Sequence, residues 1–339
     1  MPAPASPVGR RHFLAGAAIA PLLPATARAA APYRIALANI NDAKDVRIEG
    51  LGFTGYDVRR SFELAARGKP LEIIYYDNGG DAETAVANAA DAIGKKIDLL
   101  IEFNSQTDVN DDIARKAAAA GVLVLAIGYP VGDAPLYSAD NLAAGRIAGR
   151  ALTSFAKQNW PDETPVAVIL GDVGDPIDAV ARRIQGITDT IRQGLPGAVE
   201  PMLLDTGGQP QRGDGLLAKF LQQNPRTRVL VAALDDSTAV WAKAAVDLTV
   251  RANDCVIVSQ GLDHSIHGGV SEKKEIDPTN RASPVVGSVA YYMDRYGFEV
   301  LPLALRMLNG ESIPPHTYTR HILVTAANVF REYPPIDMN

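Results

Sequence analysis

Thr227-Arg228-Val229-Leu230-Val231-Ala232-Ala233-Leu234-Asp235-Asp236-Ser237-Thr238-Ala239 passes from an apolar run through a polar turn into a helical pattern that continues to Val250. Apolar residues on consecutive positions belong to a strand covered on both faces, as in a parallel sheet flanked by helices. The passage recurs along the chain. Strand-like 33–38, 71–76 and 98–103 are followed by helical patterns within 50–68, over 82–94 and over 109–121. Strand 122–127 and a short segment at Tyr137-Ser138 lead into helix 142–159; strand 165–170, helix 179–194, strand 198–204 and helix 213–224 then precede the quoted unit, and strand 255–260 follows it. This alternation predicts an α/β fold with two doubly wound parallel sheets. The tail departs from it, with a strand at 285–291, a long helix at 294–309 stopped by Gly310, and a last short strand at 321–325.

The chain has 339 residues, too many for a single hydrophobic centre, so two lobes are expected. Arg10-Arg11-His12-Phe13-Leu14, the apolar 15–23 and the small-x-small Ala27-Arg28-Ala29 read as an export signal over residues 1–29, of twin-arginine or ordinary secretory type. The apolar stretch is too short to span a bilayer. Removing it takes three arginines from a formal net charge of −6, and so acidic a mature chain disfavours nucleic-acid binding. Cys255, the sole cysteine, starts an apolar strand and reads as a small core residue. These features place the mature protein in the periplasm as a soluble monomer, not embedded in the membrane.

In doubly wound sheets ligands meet the carboxyl ends of the strands. The residues there are Asn39, Asn41, Asp42, Lys44 and Asp45, then Asn104, Ser105 and Gln106, then Gly128 and Tyr129. The second half supplies Asp172 and Asp175, Asp205 and Thr206, Asp235 and Asp236, and Asp263 and His264. The ring holds no nucleophile and base at a recognisable spacing, so no catalytic residue is assigned and the chain is read as not an enzyme. Asp and Asn in such places also serve as helix caps and turn residues.

Ser138-Ala139-Asp140-Asn141-Leu142-Ala143-Ala144-Gly145-Arg146-Ile147-Ala148-Gly149 resembles the inter-lobe segment of the type I periplasmic substrate-binding proteins of ABC transporters, in the ribose- and galactose-binding group. Gly171-Asp172-Val173-Gly174 with Arg183-Ile184-Gln185-Gly186 resembles that family's glycine loop and Arg-x-x-Gly helix. Leu234-Asp235-Asp236-Ser237-Thr238-Ala239 is similar to its Asn-Asp-x-x-Ala segment, and Gln260-Gly261-Leu262-Asp263 to its Gly-Phe-Asp hinge. The helix and Leu-Asn-Gly-Glu tail over 305–313, with Ile322-Leu323-Val324-Thr325, complete a resemblance covering nearly all of 33–330. It implies two Rossmann-like lobes, 33–138 plus 292–322 and 139–291 plus 323–333, joined by a three-crossover hinge. They would close over a small solute delivered to an ABC permease, or sensed through a chemoreceptor or sensor kinase.

By the same resemblance Asp235 and Asp263 accept hydrogen bonds from sugar hydroxyls, and Phe53 packs on a sugar ring. Asp236, Asn41 and Asn104 complete the expected binding set. The departures concern the cations. Gly128-Tyr129 replaces an Asp-Arg pair, Ala181 replaces a clamping arginine, and Tyr291 replaces a glutamine at the third crossover. A pocket without cations, with Tyr129 and Tyr291 beside the carboxylates, suits a polyol or modified sugar, or a cationic solute. The loop 39–53 is about six residues longer than in the ribose-binding group, by that resemblance.

Sharper motifs fail on context. Gly50-Leu51-Gly52-Phe53-Thr54-Gly55 matches G-x-G-x-x-G with Asp77 downstream, the pattern of an exported NAD(P) oxidoreductase, but 39–49 separate it from its strand. No cofactor is therefore expected. His264-Ser265-Ile266-His267 lacks companion ligands, and Asp108, Asn110 and Asp112 lack the glycine and acid of a calcium loop, so no metal is expected either.

Overall fold

A computed structural model describes residues 32–174, 178–195, 197, 200–268 and 273–334. The expected export segment and Asp175 lie outside these residues. The first half alternates β1 (Tyr33–Asn39), α1 (Gly55–Ala65), β2 (Leu71–Asp77), α2 (Ala82–Gly94), β3 (Leu99–Glu102), α3 (Thr107–Ala119), β4 (Leu123–Ile127) and β5 (Leu136–Ser138). After α4 (Asn141–Asn159) come β6 (Val166–Gly171), α5 (Asp178–Gly194), β7 (Met202–Asp205), α6 (Arg212–Gln223), β8 (Val229–Ala233), α7 (Asp236–Leu248), β9 (Cys255–Gly261) and β10 (Val285–Ala290). The tail holds α8 (Tyr296–Leu308), β11 (His316–Tyr318), β12 (Leu323–Val324) and α9 (Val329–Glu332).

Two sheets result, ordered β2-β1-β3-β4-β5-β11 and β7-β6-β8-β9-β10-β12. Each is a doubly wound array whose order reverses between its first and third strands, parallel except where β12 pairs antiparallel with β10. Every residue of β8 and β9 is buried, as their continuous apolar runs predict for strands covered on both faces. Helix starts follow the caps in the sequence. Asp81, Asp140 and Asp235 accept the amides of Thr84, Ala143 and Thr238, and so begin α2, α4 and α7. The tail differs from its expected form: residues 293–295 make a separate 3-10 turn before α8, and β11 adds a strand between α8 and β12. Apolar periodicity alone does not mark strands as short as β11 and β12.

The chain passes between the sheets three times: between β5 and α4, between β10 and α8, and between β11 and β12. Tyr291 stands at the second passage, not the third expected. His321, on the third, touches both others. Its Nε2 accepts the Asp140 amide at 3.0 Å, and its Nδ1 donates to the Ala290 carbonyl at 2.9 Å. That pairing requires the neutral ring protonated on Nδ1. Burial lowers the His321 pKa, helped by Arg183 and opposed by the Ala290 carbonyl and Asp140.

Helices α4 and α5 lie in close contact because their facing positions are glycines. A β-carbon at Gly145 would overlap the Arg183 carbonyl, and one at Gly186 the Leu142 carbonyl. Gly145→Ala is therefore expected to lower stability by roughly 1–3 kcal/mol through overpacking, measured by denaturant unfolding. For His321 the depressed pKa sets the sign. Its contribution is complete above the ordinary histidine value of 6.5 and is lost as pH falls through its folded value. His321→Gln should flatten that part of the stability profile, with unfolding curves between about pH 5 and 7.5 as the measurement.

Candidate functional site

The carboxyl ends of β8, β9 and β10 gather the acidic residues. Asp236 is fully buried; its Oδ1 accepts the hydroxyls of Ser259 at 2.5 Å and Ser288 at 2.7 Å, and its Oδ2 accepts the Asp263 amide at 2.8 Å. Burial, and then the Asp263 carboxylate, raise its pKa well above the usual carboxylate range. Asp235 caps α7, with Oδ1 taking the Thr238 amide at 2.9 Å and Oδ2 the Thr238 hydroxyl at 2.5 Å. Asp263 accepts the Ser265 amide on Oδ1 at 2.6 Å, while its buried Oδ2 has no hydrogen-bond partner. Tyr291 is fully buried, its hydroxyl 2.8 Å from Gln260 Oε1 and 3.1 Å from Asn141 Oδ1; Gln260 Nε2 is left unpartnered.

The long loop after β1 reaches these groups from the other sheet. Ile48 N donates to the Phe53 carbonyl at 2.9 Å, Arg47 and Thr54 form an antiparallel bridge, and Glu49 and Gly50 turn through φ of 52° and 69°. Ile48, Leu51 and Phe53 are buried. Gly52 lies so close to Asp263 that a β-carbon there would overlap its carboxylate. Arg47 pairs with Asp235, Nη1 to Oδ1 at 3.5 Å, and donates from Nη2 to the Ser237 hydroxyl at 2.9 Å. The wholly buried Arg183 donates to the Glu49 carbonyl and to the Leu234 carbonyl and stands 5.8 Å from the Tyr291 ring. Burial raises the Glu49 pKa, opposed by Arg183 and the Asn141 side chain, and Glu49 Oε2 is buried without a partner.

Asp235, Asp236, Asp263 and Tyr291 thus lie at neighbouring strand ends. Phe53 joins the hydrophobic cluster that also holds Tyr291 instead of presenting a free face. Tyr129 borders a cavity of about 550 Å³ shared with Glu49, Asp140, Asn141 and Arg182, and lies 6.2 Å from the Phe103 ring. Asn41 and Asn104 make local bonds. Asn41 accepts the Ala43 amide, while Asn104 accepts the Gln106 amide and donates to Asn110. The expectation of a pocket without cations is corrected by Arg47 and Arg183. Neither position follows a strand directly, and Arg47 belongs to the loop that departs in length from the resemblance. Charged residues in a lengthened loop at a strand's carboxyl end were the signal available for Arg47 and Glu49.

A family profile described as "Periplasmic binding protein domain" matches residues 53–312. The chain belongs to this family. Among solved structures it is similar to a Mycobacterium smegmatis protein in complex with β-D-fucofuranose, at 17% identity over 90% of this chain and 95% of that one, with a TM-score of 0.63. It is also similar to the 5-methylthioribose transporter solute binding protein of Thermotoga lettingae, at 17% identity over 90% of this chain and 89% of that one, with a TM-score of 0.62. An ABC transporter solute binding protein of Agrobacterium vitis with bound allitol matches at 18% identity over 88% of this chain and 97% of that one, with a TM-score of 0.63. No match was found among curated proteins. At these identities the three structures speak for the fold alone.

Because both Asp235 oxygens bind Thr238, its removal should weaken the protein even without solute. Asp235→Ala is expected to lower stability by about 1–2 kcal/mol, the usual cost of a lost cap, and Asp235→Asn by less. Thermal or urea unfolding of the three ligand-free proteins measures this.

Proposed function

We propose that this is an exported solute-binding protein, acting as a monomer, that captures a sugar, polyol or modified sugar between its sheets and delivers it to an ABC permease. The observation that carries this reading is a set of buried polar atoms without partners around the strand ends. They include the acceptors Asn39 Oδ1, Glu49 Oε2 and Asp263 Oδ2 and the donor Gln260 Nε2. A buried polar group without a partner costs about 1–3 kcal/mol, and a polyhydroxylated solute supplies donors and acceptors on one small body. Sugars and a polyol in the related structures support the same class.

The paired lobes, 33–138 plus 292–322 and 139–291 plus 323–333, would close by rotation at the three passages, since a solute touching both favours the closed form. Export by the 1–29 segment would place the protein where such solutes arrive. Among the described residues no helix is long and apolar enough to cross a membrane.

A thermal-shift panel of D-arabinose, allitol, myo-inositol, 5-methylthioribose and simple amines tests the class, because a bound solute raises the melting temperature by mass action. A shift with at least one hydroxylated compound is expected; shifts with amines alone overturn the reading. Asp263→Asn should weaken the hit by about 1–3 kcal/mol, measured by calorimetry, and unchanged affinity would remove Asp263 Oδ2 from the site.

A further inference from the structure

Arg47 occupies Asp235 in the manner of a bound cation. It hangs from the loop between β1 and α1 on one sheet, whereas Asp235 caps α7 and Ser237 lies in the first turn of α7, beyond β8 of the other. The Arg47 side chain is 39% exposed and that of Asp235 7%, so a guanidinium at the solvent edge covers a buried carboxylate. The loop behind it is held independently: Glu49 by Arg183, Gly52 against Asp263, and Ile48, Leu51 and Phe53 in the core. Arg47 therefore reaches Asp235 from an anchored backbone. Loss of its side chain would leave the loop in place and Asp235 without a charge partner.

We propose that Arg47 is a specificity-determining residue of the cleft: by filling the Asp235 seat from within the chain it excludes cationic solutes and leaves the cleft to uncharged, hydroxylated ones. This rests on the cleft being the solute site. A cation entering there must displace a planar guanidinium that already donates to Asp235 and Ser237, and it meets like charge while doing so. A neutral polyol meets neither obstacle, because the partnerless buried atoms Asp263 Oδ2 and Gln260 Nε2 are not engaged by Arg47. The two aromatic positions and the carboxylates that suit a cation on paper are thus countered by a residue outside the motifs.

The test uses the full mature chain and two probes, methylguanidine and allitol, by isothermal titration. Wild type should show no methylguanidine binding in the low millimolar range, and Arg47→Ala should gain at least about tenfold, since an uncovered buried carboxylate seeks a cation. Arg47→Lys should retain the exclusion. Adding Asp235→Asn to Arg47→Ala should abolish the gain, which places the probe on that carboxylate. Equal methylguanidine binding by wild type and Arg47→Ala, or a gain that survives Asp235→Asn, overturns the proposal; Arg47→Gln repeats the comparison if the alanine variant melts early. A tenfold loss of allitol affinity in Arg47→Ala would make Arg47 a solute contact and overturn its role as an excluder. If methylguanidine behaves as expected while no hydroxylated compound binds either protein, the Arg47 inference stands and the polyol reading falls.

Discussion

Three separate stretches of chain run between the sheets, and one imidazole holds them in register. His321 on the last accepts the Asp140 amide on the first and donates to the Ala290 carbonyl on the second. Both bonds need one tautomer of a neutral ring, and Tyr291 packs edge-on against it at 4.6 Å. The strand ends that carry the polar groups are aimed relative to one another through these passages. A shift at His321 would move Asp140, which caps α4, and Tyr291, which meets Gln260 and Asn141. Hinge and candidate site are thereby parts of one hydrogen-bonded unit.

The acidic cluster shows three different uses of one side-chain chemistry. Asp236 ties β9 and β10 to the start of α7 and has both oxygens engaged. Asp235 starts a helix and holds Arg47 with its remaining reach. Asp263 keeps one buried oxygen without a partner. Crowding three carboxylates in a dry place is unfavourable unless donors and cations compensate. Serine hydroxyls, backbone amides, the α7 N-terminus and Arg47 supply that compensation, so much of the charge visible in the sequence is consumed by structure.

Much of the fold could be read directly, because periodicity and strand burial express the same physics. Runs such as Val229-Leu230-Val231 suit a strand covered on both faces, and β8 is buried throughout. The short tail strands were harder, since two or three residues carry no period. In the site, Asp235, Asp263 and Tyr291 were accessible through motif position. Asn41 and Asn104 look the same in sequence yet serve their own turns, each accepting the amide two residues on.

Sequence by itself determined the α/β class, the repeated doubly wound plan, the helix caps and the acidic ring at the strand ends, because each follows from local periodicity or a short motif. Tertiary structure alone decided which acids retain a free oxygen, how His321 joins the three passages, and that Arg47 lies on Asp235. The physical reason is sequence distance. Arg47 and Asp235 are 188 residues apart, and neither the length of a loop nor its charge states where its tip will land. Only packing of Ile48, Leu51 and Phe53 into the core carries the guanidinium to its partner.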